Sequence, residues 1–468
     1  MLFHPSLQNK LYFWDDERFI FLNPGYLNAH SWTEFWNFKS PYFKSWPFGY
    51  SLFWFFDKIL KVENLFYYKF LNIVVHSINA LLIFNFLKKC KFPFYLLLSL
   101  IFLAHPLNVE NVSWIFQLLT LVAFTFFLLS FFFIAKYLNE QKKVFLLISF
   151  LFFMLSLFSK SVAVFAPIFF LIYFFLMGAG YKKMVLLIPF FIFAVLIGLI
   201  NIKGTENMSQ QNYSQASSII SKLQDNDWDI KKKFSPEQVA LSEYFNFIYM
   251  RKKKLDKIGF NREEIFSQGV VHYFSKLILP VNQQFIYPVW KIPLAYSLPL
   301  IAIVFSIVVV AFKKTRDNKI ILSVTYIAIF LLPYLGLTFI TFFYWSNVSD
   351  RYTYFIIPAF VIILGLCFKN RESKFSSYTL TLYLAVLSVL TVNYGYKFNN
   401  PLALYEEIIT YKKHPAIYSL LFEQYISRAD LENGEAILLE ARKKFPDDDL
   451  LKADLIRLEG LKLIYKKE

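Results

Sequence analysis

Apolar residues along this chain come in long, nearly uninterrupted runs separated by short polar segments. Runs over residues 65–87, 92–104, 113–135, 143–158, 161–178, 184–202, 295–312, 319–341, 353–368 and 375–394 carry almost no charge. A helix needs about 20 consecutive apolar residues to cross the hydrocarbon core of a bilayer. The pattern therefore predicts an all-α polytopic membrane domain of about ten helices, although the run at 92–104 needs help from flanking residues or a locally thinned bilayer. The polar segments between the runs alternate in kind. Lys88, Lys89 and Lys91 fill one connection; Lys136, Lys142 and Lys143 another; Lys182 and Lys183 a third. Lys313, Lys314, Arg316 and Lys319, then Lys369, Arg371 and Lys374, continue the series, while the connections at 105–112, 159–160 and 342–352 hold few cations. Cytoplasmic loops collect Lys and Arg. This predicts a multi-pass inner (plasma) membrane protein with its lysine clusters inside and both ends of the chain on the extracytoplasmic (periplasmic) face.

That orientation places some sixty N-terminal residues outside without a signal peptide of the usual form. The expectation is a further apolar helix upstream of Met1, with "MLFHPSLQN" its outer end. Composition agrees with the class: 57% of the 468 residues are hydrophobic, with 58 Phe and 30 Tyr, against ~45–50% apolar residues in an average chain. The net charge of +16 follows the topology, so the lipid bilayer, and no nucleic acid, is the predicted partner. Cys90 and Cys367 both fall at predicted cytoplasmic helix ends, which predicts no disulfide, and they lack metal-ligand spacing.

Within a membrane domain over residues 1–398, segment 27–64 is rich in Trp and Phe and reads as an interfacial external loop. Segment 203–292 is a long external loop whose later part, "VVHYFSKLILPVNQQFIYPVW", is apolar enough to dock on the membrane. Residues 399–468 form a charged helical tail. Tyr418, Leu421, Tyr425, Gly434, Leu438, Ala441 and Pro446 take the spacing of one tetratricopeptide (TPR) repeat, a helix pair of about 34 residues; a generic helical hairpin is the alternative. A single repeat leaves a face uncovered, so the tail is expected to pack on the membrane domain or on a protein partner.

Four polar clusters fall on the predicted outer face: Asp15, Asp16 and Glu17; His105 and Glu110 in "AHPLNVENVSW"; Lys160 in a tight turn; and Asp350 with Arg351 in "SDRYTYFIIP". Any one of them alone reads as a cap or a snorkelling residue. Ionisable groups at a bilayer are costly, and four such clusters on one side suggest function. A carboxylate can take the proton of an acceptor hydroxyl, and Lys or Arg can neutralise a departing phosphate. Asn72, His76 and Asn79 share one helix face and read as helix-to-helix glue.

The landmarks "FWDDERFIFLNP", "YKFLNIVVHSINALLIF", "LAHPLNVENVSWI", "LFSKSVAVFAP", "LILPVNQQFIYP" and "SDRYTYFIIP", in this order over residues 12–360, resemble the GT-C superfamily of glycosyltransferases. More closely they resemble the transmembrane, TPR-containing O-mannosyltransferase-like proteins and their bacterial relatives. The resemblance implies an eleven-helix membrane domain, the first family helix being absent here, and a sugar donor carried on polyprenyl phosphate. It implies Asp16 and Asp15 as catalytic carboxylates, Lys160 and Arg351 as donor-phosphate ligands, and His105 and Glu110 as the second-loop site. No cofactor is certain; Asp15 and Asp16 could hold a divalent metal through oxygen ligands, but a general base needs none. The chain departs from the family where an Arg and an Asp are replaced by Leu118 and Thr120, and where Trp46-Pro47 stands for Arg-Pro. Two readings follow. One is an inverting glycosyltransferase acting on a protein or glycan hydroxyl outside the cell; the other is a non-catalytic membrane scaffold on a degenerate GT-C fold. A transporter fits less well, because transporters place charges near the midplane.

Overall fold

A computed structural model describes residues 2–8, 15–16, 19–20, 23–38, 40, 46–59, 64–203, 261–315, 317–337, 340–368 and 373–465. Glu17 and most of the first part of the predicted long loop, residues 204–260, lie outside them. Every regular element among the described residues is helical. A short helix α1 (Pro47–Trp54) precedes α2 (Leu65–Lys89), α3 (Tyr95–Leu103), α4 (Leu118–Glu140), α5 (Lys143–Ser159) and α6 (Ala166–Leu176). Then come α7 (Tyr181–Lys203), α8 (Arg262–Ile278), α9 (Leu294–Thr315), α10 (Asn318–Leu331), α11 (Ile357–Phe368) and α12 (Lys374–Phe398). Four shorter helices close the chain: α13 (Pro401–Tyr411), α14 (Pro415–Ile426), α15 (Leu431–Lys444) and α16 (Asp449–Tyr465).

Each of the ten predicted runs contains a helix among the described residues, and five helices are long and apolar enough to cross a membrane by length and composition. A sixth span arises if α3 and residues 106–113, which meet at 45°, count as one. The break has a local cause. His105 is extended and its Nδ1 accepts the Leu107 N–H, while Pro106 brings no N–H to continue α3. The predicted loop 105–112 is thus two buried helical turns. The run predicted over 319–341 likewise stops early: Pro333 opens a single 3-10 turn, and Gly336 at φ 85° ends it in the left-handed region.

Small hydroxyls bring α4 and α5 together. Ser130 and Ser149 each donate to the other's carbonyl, at 2.9 and 2.8 Å, and Ser156 donates to Ala123 O at 2.6 Å. Lipid supplies little hydrophobic drive for helix association, so close packing and such bonds carry it. The polar face of α2 acts as expected. Asn72 donates to Trp114 O at 2.8 Å, and Asn79 donates to Leu121 O at 3.1 Å and to the Tyr354 hydroxyl at 3.0 Å. Tyr354 in turn donates to His76 Nδ1 at 2.8 Å, leaving Nε2–H for Leu103 O at 3.1 Å. One face of α2 therefore fixes α3, α4 and the segment after Arg351.

The tail is four consecutively packed helices. Of the residues singled out by its period, Tyr418, Leu421, Leu438 and Ala441 are fully buried and Gly434 lets α15 approach Phe422 and Ile426 closely, whereas Tyr425 is half-buried and Pro446 exposed. Helix α14 works on two faces. Ile417 and Leu421 join a core with Phe285 and Phe398, while Tyr418 and Phe422 pack with Leu438, Leu451 and Leu458. The first face seats the tail against the preceding part of the chain.

Candidate functional site

The polar clusters converge at one end of α4. Its N-terminal end meets the cluster residues, and its C-terminal end meets the lysine-rich connection around Lys142. Its 23 residues separate the two by about 33 Å at 1.5 Å per residue.

The turn at 114–117 is the hub. Asn72 holds the Trp114 carbonyl, and the Phe116 N–H donates to Asp16 Oδ1 at 2.8 Å. Phe19 stacks on Phe116 at 5.0 Å, with Trp46, Tyr50 and Phe53 around the same ring. This aromatic nest seats the N-terminal acidic segment and leaves Asp16 1% exposed. The buried Lys69 ammonium lies within electrostatic reach of Asp16, and Asp15 lies within reach of Arg351.

One residue further on, Gln117 Oε1 accepts Lys160 Nζ at 2.8 Å and the Thr120 hydroxyl at 2.6 Å; Lys160 also reaches Thr120 Oγ1 at 2.5 Å. Thr120, where the resembled family carries a charge, thus sits directly on the turn lysine. Leu118 is buried among apolar side chains. Trp46, the other departure, donates its indole N–H to Ser161 at 2.6 Å and lies under the Lys160 ammonium at 5.8 Å.

Arg351 is held from both sides. One guanidinium nitrogen donates to Ser349 Oγ at 2.6 Å and to Glu110 Oε2 at 3.3 Å, and Ser349 donates to the same carboxylate oxygen at 3.2 Å. Tyr394 of α12 donates to Glu110 Oε1 at 3.1 Å. The guanidinium carbon lies 3.9 Å from the Phe342 ring centre, 4.9 Å from Tyr352 and 5.2 Å from Trp114, which are cation–π distances. Glu110 is wholly buried and Arg351 only 8% exposed.

Lys160 and Arg351, far apart in sequence, line one cavity of about 30 Å³ together with Gln117, Thr120, Tyr334 and Tyr352. His105 is not drawn into it. Its Nδ1 accepts the Leu107 N–H and its Nε2 donates to Leu277 O at 3.1 Å, so the ring caps a turn and ties it to α8. Asp350 also turns away, accepting from His272 Nε2 at 3.1 Å and from the Tyr287 hydroxyl at 2.8 Å. Among the described residues no group of three or more His, Cys, Asp or Glu side chains is placed to hold a metal ion. Mg²⁺ is commonly held by one or two carboxylates together with substrate phosphates, and one oxygen of Asp16 is already taken by the Phe116 N–H.

Sequence reading missed Gln117, Ser349, Tyr394, His272 and the rings around Arg351. Of these, Ser349, Trp114 and Tyr352 had a signal, since each stands within four residues of a flagged charge. Compared with family models, with curated proteins and with solved structures, the chain matches none.

Burial holds His272 below the ordinary histidine value, although its bond to Asp350 opposes the shift; burial likewise lowers Lys276. A histidine buried neutral contributes stability above its unfolded pKa of ~6.5, and that contribution is lost as pH falls towards the lowered folded value. Between pH 7 and 5 the wild type should lose more thermal stability in detergent than His272→Gln, by at most ~1.4 kcal/mol per pH unit. Parallel melting curves for the two proteins would refute this.

Proposed function

We propose that the chain is a membrane glycosyltransferase of the GT-C type, transferring a sugar from a polyprenyl-phosphate carrier to a hydroxyl of a protein or glycan. The observation that carries this reading is the cavity shared by Lys160 and Arg351, with Asp16 fixed one residue away from its Gln117 wall. Two cations set beside a carboxylate suit a reaction in which phosphate departs from one face of a sugar while a hydroxyl attacks the other. The acceptor oxygen bonds to the anomeric carbon, and the bond from that carbon to the phosphate oxygen breaks, its electron pair leaving with the phosphate. The acceptor proton passes to Asp16, with Asp15 next to it as the second candidate. Lys160 and Arg351 offset the charge gathering on phosphate. Thr120 supports the assignment of Lys160, because a neutral hydroxyl there leaves the ammonium's charge for an anion. Admitting a phosphoryl group requires the cavity walls to draw apart, as catalytic contacts commonly tighten only around bound substrate.

The test is transfer of radiolabelled sugar from polyprenyl phosphate into a lipid-free product by membranes containing the protein. Failure with every polyprenyl-phosphate sugar would favour a scaffold, presenting the TPR-like tail to a partner. The lysine-rich ends belong in the cytoplasm under this reading. Single cysteines at the exposed positions His30 and Lys291 should then label from outside, and those at Lys142 and Lys182 only after permeabilisation. Labelling of all four from one side would sink the orientation.

A further inference from the structure

Helix α8 buries a stripe of polar residues one turn apart: Gln268, His272 and Lys276. Each reaches one of two segments, 280–290 and 345–350, that come up to Arg351: the Phe285 ring lies 5.9 Å from its guanidinium carbon, and Ser349 accepts from it. Gln268 donates to Pro288 O at 2.8 Å and accepts from Asn347 at 3.1 Å and from the Trp290 N–H at 3.2 Å. Lys276 donates to the carbonyls of Val281 and Asn282. Next to His272, the Tyr273 hydroxyl accepts the Ser349 N–H at 3.3 Å.

The middle member of the stripe holds the residue before Arg351. His272 Nε2 donates to Asp350 Oδ1, Tyr287 donates to Oδ2, and Thr353 Oγ1 caps the Asp350 carbonyl at 2.6 Å. All three groups are buried. With both oxygens tied from different elements, the carboxylate cannot turn without breaking charge-assisted bonds in a low-dielectric interior, where they are strong. Asp350 opens the 3-10 turn that carries Arg351, so fixing the carboxylate fixes the backbone from which the guanidinium projects. Among the described residues the imidazole Nδ1 has no partner, which leaves Nε2–H as the functional end of the ring.

We propose that His272 is a positioning residue for Arg351, acting through Asp350 to aim the guanidinium at the cavity; its bearing on donor binding rests on the phosphate reading of Arg351. The substitutions follow from side-chain reach. A glutamine amide nitrogen extends to about where imidazole Nε2 stands and can donate to Asp350. An asparagine nitrogen stops near the Nδ1 position and cannot.

The experiment reads Arg351 directly. Purified full-length protein in detergent is treated with phenylglyoxal, and modification of Arg351 is followed by peptide mass spectrometry against the exposed Arg442 as internal reference. His272→Asn should speed modification of Arg351 about tenfold, the scale of one lost charge-assisted hydrogen bond, and Tyr287→Phe should act in the same direction. His272→Gln should stay at the wild-type rate. Because Asn and Gln are both polar and both smaller than the imidazole, a general packing defect would move them together, and that result overturns the proposal; so does an unchanged rate in His272→Asn. Binding of a short-chain prenyl phosphate is then measured on the same proteins. It should weaken in His272→Asn, recover in His272→Gln, and show no further loss when His272→Asn is added to Arg351→Ala. If labelling behaves as stated while wild type binds no prenyl phosphate, the positioning role stands and the phosphate reading of Arg351 falls.

Discussion

Arg351→Ala should lose donor binding and fold stability together, and the two losses should separate when Glu110 is also changed. Arg351 is the cation paired with the wholly buried Glu110 carboxylate. Removing one partner of a buried pair costs about 3–5 kcal/mol, because the other charge is left uncompensated. Ser349 and Tyr394 still donate to Glu110 in the variant, which places the expected loss at the lower end of that range. In Arg351→Ala/Glu110→Gln the orphaned charge is gone, so most of the stability should return. Donor binding should not return, since a charged hydrogen bond to phosphate is worth about 1.5–3 kcal/mol, or roughly 10–100-fold in affinity. Thermal melting and prenyl-phosphate titration on the three proteins distinguish the outcomes. A double variant that binds donor like wild type would show that Arg351 is only the counter-charge of Glu110.

Asp16→Asn should lower turnover by about 10²–10⁴, the usual contribution of a general base, with little change in donor affinity. The structure preserves one anchor in this substitution. An asparagine Oδ1 can still accept the Phe116 N–H that Asp16 accepts at 2.8 Å, and the stack of Phe19 on Phe116 is untouched. The side chain keeps its bond to Phe116 and loses its basicity, while the buried Lys69 ammonium loses a counter-charge, so a melting curve accompanies the rate measurement. Asp15→Asn provides the comparison, since Asp15 lies towards Arg351 and its loss should alter donor affinity more than Asp16→Asn does. Wild-type transfer by both variants would remove the carboxylates from the mechanism.

Much of the architecture was legible because membrane helices write themselves as uncharged runs, and even the short run at 92–104 is helical over 95–103. The convergence of Asp16, Glu110, Lys160 and Arg351 could be anticipated because topology puts alternate connections on one side. His105 lies outside the cavity for a physical reason: a histidine before Pro106 can cap the turn it opens, and nothing local separates that role from a site role. The stripe on α8 was hidden differently. "VVHYFSKLILP" is apolar enough to suggest contact with lipid, yet His272 and Lys276 face protein because their partners are backbone and side-chain oxygens in irregular segments. Such partners leave no periodic trace in sequence. Phe342 beside Arg351 is equally silent, since it looks like any other ring in a chain with 58 Phe.

The segments that flank Arg351 are also gripped by residues 397–412. Lys397 donates to Gln283 O at 3.2 Å, Tyr411 to Ile286 O at 2.6 Å and Lys412 to Trp345 O, and Phe398 packs edge-on against Phe285. A ribosome adds about 5–20 residues per second, and domains form in the order they emerge. The arginine is therefore made well before the residues that brace the segments around it. Until translation has passed residue 412, the segments around Arg351 wait for these braces.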